Sequence, residues 1–161
     1  MRLGLISDTH DNRDRTRKAL GLLGDADVEA LVHAGDLNTA RLVPMLEGWR
    51  VWLAQGNVDH PTRIQQAIED NAVDVDYGVR HQIEVGPARV GLIHGDDESR
   101  LEGMVNAGAF DLVVHGHTHE FRDERIGDTR VVNPGAVHRA SPPSVCVWDA
   151  ETDELERLLI E

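Results

Sequence analysis

The sequence predicts an α/β fold with two β-sheets, and three observations support this prediction. Short apolar segments alternate with amphipathic helical segments through the first half of the chain, as in parallel sheets with crossover helices. The second half instead has closely spaced short strands, with a turn pair at Gly86-Pro87. At 161 residues the chain fits one domain, which we take to span residues 1–161.

The first half is predicted as a βαβαβα series. Strands are predicted at residues 2–7, 30–34 and 50–54, and helices at residues 12–23, 39–47 and 62–70. The strands are apolar runs that end in glycine or polar residues, whereas the helices carry apolar residues at helical spacing on a charged background. Pro44 weakens the second helix, because proline removes a backbone donor.

The second half is predicted to contain one helix and a series of short strands. The strands lie at residues 73–77, 81–85, 88–93, 112–115, 120–124, 130–133, 144–148 and 155–160, and the helix at residues 98–107. Because the intervals between these strands are short, we expect the second sheet to consist mostly of hairpins.

The charge balance of the chain restricts its partners. Lys plus Arg is 16 and Asp plus Glu is 29, which gives a formal net charge of −13. Nucleic acid is therefore not expected as a tightly bound partner, since tight binding of a phosphate backbone needs a positively charged protein surface. Lys18 is the single lysine. Such a surface predicts a halophilic protein, with a GC-rich genome as the alternative explanation.

The cysteine count and the apolar runs indicate the compartment. The single cysteine, Cys146, excludes a disulfide framework and a Cys-rich zinc site. The apolar runs are too short to cross a bilayer, and residues 1–8 lack the pattern of a signal peptide. We therefore expect a cytoplasmic protein without membrane contact. The sequence leaves the oligomeric state open, including a homo-oligomer.

Side chains of metal-binding type follow five of the predicted strands. They are Asp8, His10, Asp36, Asn57, His94, His117 and His119. Ligands bind outside the carboxyl ends of the strands in α/β sheets, so these side chains are expected to meet in one place. Four glycines should let the backbone turn sharply where the strands end. They are Gly35, Gly56, Gly95 and Gly116.

Seven donors are too many for one ion. Carboxylate, imidazole and amide oxygen ligands favour Mn²⁺, Fe²⁺ or Zn²⁺ over metals that prefer thiolates. An aspartate can bridge two ions, because each of its two oxygens can bind one. Two divalent ions roughly 3.5–4 Å apart form the clamp that hydrolyses phosphate esters.

The donor blocks resemble, in the same order, those of the calcineurin-like metallophosphoesterases. The blocks are Asp8-Thr9-His10, Gly35-Asp36, Gly56-Asn57, the lone His94 and Gly116-His117-Thr118-His119. The short length, the form Ser7-Asp8-Thr9-His10 and the later Asn133-Pro134-Gly135 are most similar to the small YfcE-type phosphodiesterases. The similarity extends over essentially the whole chain.

The resemblance implies a fold, a ligand set and an activity. The fold would be an α/β/β/α sandwich of two mixed β-sheets flanked by helices. Asp8, His10, Asp36 and His119 would hold one ion, and Asp36, Asn57, His94 and His117 the other. We expect Mn²⁺, with Ni²⁺, Fe²⁺ or Zn²⁺ as alternatives. The activity would be hydrolysis of small phosphate esters, most readily diesters, by in-line attack of a hydroxide that bridges the ions.

The sequence also departs from the wider family at Val58. Many members carry a histidine there that protonates the leaving group, whereas valine transfers no proton. This should favour esters with acidic leaving groups or shift protonation to His60 or water.

Asn12 could contact a substrate phosphate or cap the following helix. His60, three residues after Asn57, is the second candidate for substrate contact. His33 and His115 lie in apolar strands, so we expect them to be buried and hydrogen-bonded.

Two other functions remain open at this point. The retromer's phosphoesterase-like subunit has the same fold and works as a protein-binding scaffold, but a scaffold need not keep all seven donors. A phosphomonoesterase would differ from the predicted phosphodiesterase in substrate alone.

Overall fold

A computed structural model describes all of residues 1–161. The α-helices are α1 (Arg13–Asp25), α2 (Pro61–Asn71) and α3 (Glu98–Asn106), and Ala40–Leu46 forms a 3-10 helix. The strands are β1 (Arg2–Ile6), β2 (Ala30–His33), β3 (Arg50–Ala54), β4 (Asp74–Gly78), β5 (Arg80–Val85), β6 (Ala88–Ile93), β7 (Leu112–Val114), β8 (Arg122–Ile126), β9 (Thr129–Asn133), β10 (Ser144–Asp149) and β11 (Leu155–Leu159).

The first sheet has six strands in the order β11-β10-β1-β2-β3-β4. Strands β1 to β4 are mutually parallel, as the alternating pattern predicts for β1, β2 and β3. Strand β4, predicted among the short strands of the second half, instead extends the first sheet beside β3. The hairpin of β10 and β11 joins this sheet, and β10 pairs antiparallel with β1 in the register Leu5 to Cys146. The second half of the chain therefore contributes to both sheets. Strand β10 is almost fully buried, so it needs a partner on each side to satisfy its backbone.

The second sheet has five strands in the order β5-β6-β7-β9-β8. The prediction that hairpins dominate it is wrong for its centre, where β6, β7 and β9 are parallel. The edge pairs β5–β6 and β8–β9 are antiparallel, as predicted. Helix α3 provides the crossover between β6 and β7, and parallel pairs need such a connection.

The two sheets pack face to face, and the helices cover their outer faces. The core between the sheets includes Leu5, Val32, Val90 and Trp148. A second apolar cluster joins the first sheet to α1, α2 and the 3-10 helix, and a third joins α3 to the outer face of the second sheet. The predicted α/β/β/α sandwich of two mixed sheets is confirmed.

Element boundaries differ from the prediction mainly in two places. Pro44 lies inside the segment Ala40–Leu46, which forms a 3-10 helix rather than a regular α-helix. Strand β8 begins at Arg122, because residues 116–121 form the loop that leaves β7. None of the helices is both long and apolar enough to cross a lipid bilayer.

Candidate metal centre

The seven predicted donors lie together at the carboxyl ends of five strands. Asp8 and His10 follow β1, Asp36 follows β2, Asn57 follows β3, His94 follows β6, and His117 and His119 follow β7. Donor atoms of Asp8, His10, Asp36 and His119 lie within 4.8 Å of one another, and so do those of Asp36, His94 and His117. We call these the first and second donor groups. Asp36 belongs to both.

The first donor group is largely buried. Asp8 Oδ1 lies 3.3 Å from His119 Nε2 and 3.6 Å from His10 Nε2. The two imidazole Nε2 atoms are 3.3 Å apart. Asp8 Oδ2 accepts hydrogen bonds from the hydroxyl of Ser7 and the backbone N–H of His117, whereas the buried Oδ1 has no partner. A buried carboxylate oxygen without a hydrogen-bond partner is suited to bind a cation.

The second donor group is completed by Asn57. His94 Nε2 lies 3.2 Å from Asp36 Oδ2, 2.9 Å from Asn57 Oδ1 and 3.3 Å from His117 Nδ1. Asn57 Oδ1 is also 3.2 Å from His117 Nδ1. His94 Nδ1–H donates to the carbonyl of Ala34 (2.7 Å), so the Nε2 lone pair of the neutral ring faces the group.

Asp36 presents a single oxygen to both groups. Oδ2 lies 3.2 Å from His94 Nε2 and 3.7 Å from His10 Nε2. Oδ1 instead accepts a hydrogen bond from the backbone N–H of Val58 (3.2 Å). An oxygen that accepts one hydrogen bond keeps a second lone pair, so the expectation that each oxygen of Asp36 binds a different ion stays a prediction.

The donor chemistry fits divalent cations. Imidazole nitrogens face each other in both groups, at 3.3 Å in each case. Lone pairs of imidazole, carboxylate and amide oxygen repel one another unless a proton or a cation lies between them. A set of nitrogen and oxygen donors without thiolate suits Mn²⁺, Fe²⁺, Ni²⁺ or Zn²⁺.

Asp36 and His94 each shift the pKa of the other. Burial favours the neutral carboxyl, but the His94 ring, when its Nε2 carries a proton, and the backbone N–H of Val58 hold the pKa of Asp36 below its usual range. Burial also disfavours the charged imidazole, yet the adjacent Asp36 carboxylate raises the pKa of His94. The lowered pKa of Asp36 and the raised pKa of His94 both show that the carboxylate stabilises positive charge beside it, as a cation site requires.

The backbone of the site is strained. Five of the donors have positive φ angles although none is glycine: Asp8 (54°), His10 (43°), Asp36 (63°), His117 (72°) and His119 (64°). Such left-handed conformations cost free energy and cluster at functional sites, where the surrounding structure holds them in place.

The four glycines of the site have two different roles. Gly35 and Gly95 have φ values of 99° and 97°, so they provide sharp turns as predicted. Gly56 and Gly116 do not have positive φ and are instead needed for space. A Cβ on Gly56 would collide with the backbone of Asp36, and a Cβ on Gly116 would collide with the Ser7 hydroxyl.

Sequence reasoning missed Asp59, which joins two of the donor loops. Its carboxylate accepts the backbone N–H groups of Gly56 (2.7 Å), Asn38 (2.8 Å) and Asp36 (3.2 Å). Burial raises the pKa of Asp59, although these hydrogen bonds oppose the shift. A carboxylate two residues after Asn57 in a glycine-containing turn was the available signal.

Asn133 has a similar role beside the last donor loop. Its side-chain Nδ2–H groups donate to the Gly116 carbonyl and to the Thr118 hydroxyl, both at 3.1 Å. Its Oδ1 accepts the backbone N–H of Gly135 (3.0 Å). The Asn-Pro-Gly block therefore positions the loop that carries His117 and His119.

The two predicted substrate contacts differ in their surroundings. Asn12 Oδ1 accepts the backbone N–H of Arg15 and caps α1, and its Nδ2–H donates to His138 Nδ1, both at 3.0 Å. The backbone N–H of His138 donates to the carbonyl of Asp8 (3.1 Å), so this pair adjoins the first donor group. His60 is exposed at the start of α2 without a side-chain hydrogen bond to its helix. Substrate contact by Asn12 or His60 stays a prediction.

His33 and His115 are buried and hydrogen-bonded, as predicted. His33 Nδ1 accepts the backbone N–H of Gly35, and its Nε2–H donates to the Thr9 hydroxyl, both at 3.1 Å. Burial lowers the pKa of both His33 and His115 to about 4. Both rings are therefore neutral near pH 7 and support the strand ends without joining the donor groups.

Comparison with known proteins identifies the class. The family model of the calcineurin-like phosphoesterase superfamily domain matches residues 1–153, and the chain belongs to this superfamily. It is accordingly a metal-binding phosphoesterase, a hydrolase.

Individual relatives are more specific. The chain is 29% identical to a phosphodiesterase of Methanocaldococcus jannaschii over the full length of both proteins. The solved structure of an archaeal phosphodiesterase has a TM-score of 0.91 and 27% identity, with 99% of each chain covered. The phosphoesterase YfcE of E. coli has the same fold, with a TM-score of 0.74 and 22% identity over both complete chains.

Proposed function

We propose that the protein hydrolyses small phosphodiesters at a centre of two divalent metal ions. The observation that carries this proposal is the arrangement of two donor groups around a shared aspartate, Asp36. The similarity to archaeal phosphodiesterases supports the choice of diesters over monoesters.

Seven residues would hold the ions. Asp8, His10, Asp36 and His119 are the proposed ligands of the first, and Asp36, Asn57, His94 and His117 of the second. When bound, two such ions supply an acidified water, neutralise the phosphoryl oxygens and orient the ester for in-line attack by hydroxide. Mn²⁺ is the proposed native ion, and Ni²⁺, Fe²⁺ and Zn²⁺ suit the same donors.

The residues around the donors keep the site pre-organised. Asn38 Oδ1 lies 3.2 Å from His10 Nδ1 and Ala34 O lies 2.7 Å from His94 Nδ1, so each ring presents its Nε2 to the centre. The Asp59 carboxylate accepts hydrogen bonds from the backbone N–H groups of Asp36 and Gly56 and so connects their two loops. Such supporting hydrogen bonds commonly change metal affinity or activity by about 10–100-fold when removed.

Val58 cannot protonate the leaving group, because its side chain carries no transferable proton. Val58 is 41% exposed, and its backbone N–H is committed to Asp36. Leaving-group protonation therefore falls to water or to His60, and substrates with acidic leaving groups are favoured. The alternative of an inactive protein-binding scaffold explains less, because it requires neither the shared aspartate nor the converging lone pairs.

A metal and substrate panel tests the proposal. The purified protein is stripped with a chelator and reloaded with Mn²⁺, Ni²⁺, Zn²⁺ or Mg²⁺. Bis(p-nitrophenyl) phosphate and p-nitrophenyl phosphate are then compared by release of nitrophenolate. We expect no turnover after chelation, recovery with Mn²⁺, and faster cleavage of the diester.

Two outcomes would contradict parts of this proposal. Full activity in the chelated protein would exclude the metal mechanism. Faster cleavage of the monoester would change the substrate class but leave the metal centre in place.

A further inference from the structure

A large cavity opens beside the second donor group. It has a volume of about 660 Å³ and lies between α3, the loop that follows β7, and β8. His117, a member of the second donor group, forms part of its wall. This volume is in the range of binding sites for small molecules. A phosphodiester held at His117 would have one of its two alcohol groups next to the cavity.

Part of the cavity wall is apolar. Leu101 and Val105 of α3 line one side, and Phe121 and Ile126 line the other. Phe121 and Ile126 are 36% and 37% exposed, and few other large apolar side chains of the protein are as open to solvent. The Arg157 guanidinium lies 4.4 Å from the Phe121 ring centroid. Exposed apolar side chains that line a cleft indicate a binding surface for an apolar group.

The unpaired charges of the cavity are negative. Three glutamates line it without forming an ion pair: Glu98, Glu102 and Glu120. Arg122 is the only cation of the lining, and its guanidinium is paired with Glu124 and contacts His115 Nε2 at 3.2 Å. Among the lining residues a ligand therefore meets free carboxylates and no free cation, which disfavours anionic groups. The Arg157 guanidinium contacts the Phe121 ring but does not itself line the cavity.

We propose that this cavity binds one alcohol group of the phosphodiester substrate and selects an apolar group that is neutral or positively charged. The inference rests on the proposed phosphodiesterase function and specifies the substrate class. An alcohol group that carries additional phosphates or carboxylates would be repelled by the three glutamates. Apolar alcohol groups that are neutral or positively charged would gain affinity from contact with Phe121 and Ile126.

A pair of substrates that share one leaving group tests the apolar contact. The two esters differ only in the alcohol group that stays on phosphorus when p-nitrophenol leaves. In phenyl p-nitrophenyl phosphate this group is a phenyl ring that can enter the cavity, whereas in methyl p-nitrophenyl phosphate it is a methyl group too small to fill it. With Mn²⁺-loaded protein we expect kcat/KM to favour the phenyl ester by about 10-fold or more, mainly through KM.

Matched variants locate the origin of that preference. The double variant Phe121→Ala/Ile126→Ala should reduce the preference for the phenyl ester over the methyl ester, measured as the ratio of the two kcat/KM values, to less than about threefold. Leu159→Ala is the control, because Leu159 is 50% exposed on β11 and does not line the cavity. Thermal melting of each variant verifies that it folds.

The charge preference is tested with two further esters. A choline ester and a carboxylate-bearing ester of similar size, both with p-nitrophenol as the leaving group, should differ in KM by about tenfold in favour of choline. Glu98→Gln/Glu102→Gln should narrow this difference several-fold. Glu69→Gln, on the exposed surface of α2, should not change it.

The outcomes separate the two proposals. Cleavage of the methyl ester without a preference for phenyl, or a preference that survives in the Phe121→Ala/Ile126→Ala variant, would overturn the cavity assignment alone. A preference for the carboxylate ester would overturn the proposed charge selection. If none of these diesters is cleaved with any of the ions, the phosphodiesterase proposal fails and the inference fails with it.

Discussion

The two donor groups share Asp36 but differ in burial and in charge. In the first group the side chains of Asp8 and His10 are 0% and 3% exposed, and two carboxylates face two imidazoles. In the second group His117 and Asn57 are both exposed, and Asp36 is the only carboxylate. The first group is therefore the more buried of the two, although His119 is 25% exposed, whereas the second combines the buried His94 with two exposed donors.

This difference predicts different roles for the two groups. Two carboxylates in a water-poor environment attract a cation more strongly than one carboxylate near solvent. We therefore expect the first group to retain its ion and the second to exchange it more readily. The exposed second group also adjoins the large cavity through His117, so we expect substrate to approach the centre from this side.

The largest effect is expected from replacing the shared residue. Asp36→Asn removes a negative charge from both groups, so it should impair both ions and lower kcat/KM by at least about 10³-fold. His10→Ala is the matched variant, since His10 belongs to the first group alone. Elemental analysis of the bound metal should show both ions depleted in the former and mainly one in the latter. Normal binding of two ions by Asp36→Asn would show that this residue is not shared.

A second comparison uses two histidines from the same loop. His119→Ala removes a ligand from the buried group and His117→Ala one from the exposed group, although the two residues are only two positions apart. Titration with Mn²⁺ should be biphasic in the native protein. His117→Ala should weaken the second phase by about 10²-fold, and His119→Ala the first. Equal affinity of both phases in the native protein would contradict the expected difference between the groups.

The third prediction concerns Val58, which adjoins the exposed group. Without a proton donor at this position, rates on aryl phosphodiesters should fall steeply as the pKa of the leaving phenol rises. Val58→His should flatten that dependence, with gains of about 10²-fold on the poorest leaving groups if the ring reaches the leaving oxygen. A shallow dependence in the native protein, with chemistry rate-limiting, would show that another acid acts. His60→Ala would then be the variant to examine first.

The smallest effect is expected from salt, which acts on the surface and not on the buried group. With a formal net charge of −13, the melting temperature should rise by about 5–10 °C between low salt and 1 M KCl. The metal content of the first donor group should not change. Sorbitol at equal osmolality is the control. It distinguishes the screening of surface charges by KCl from the stabilisation that any solute excluded from the protein surface would produce. A melting temperature that is insensitive to KCl would favour base composition as the origin of the acidic surface.

The sequence by itself determined the donors and their meeting place. Asp8 and Asp36 follow neighbouring parallel strands of the first sheet, and such positions converge on one edge. His94 follows β6 of the second sheet, so it reaches them only because the two sheets pack together. The burial of His33 and His115 was predictable for a similar reason, because their neighbours along the strand are apolar. The local residue pattern is sufficient to predict features that depend on a single strand, such as the burial of its side chains and the residue that follows its end.

The tertiary structure alone decided features that depend on contacts between distant segments. These include the pairing of β10 with β1, the orientation of the Asp36 carboxylate toward Val58, the bonding of Asp59 to two loops, and the cavity beside His117. Hydrophobic periodicity shows which face of a strand is buried, but it does not show which other strand pairs with it. Side-chain orientation and cavity shape depend on close packing among segments remote in sequence, so they become defined only when the two sheets and their helices are assembled.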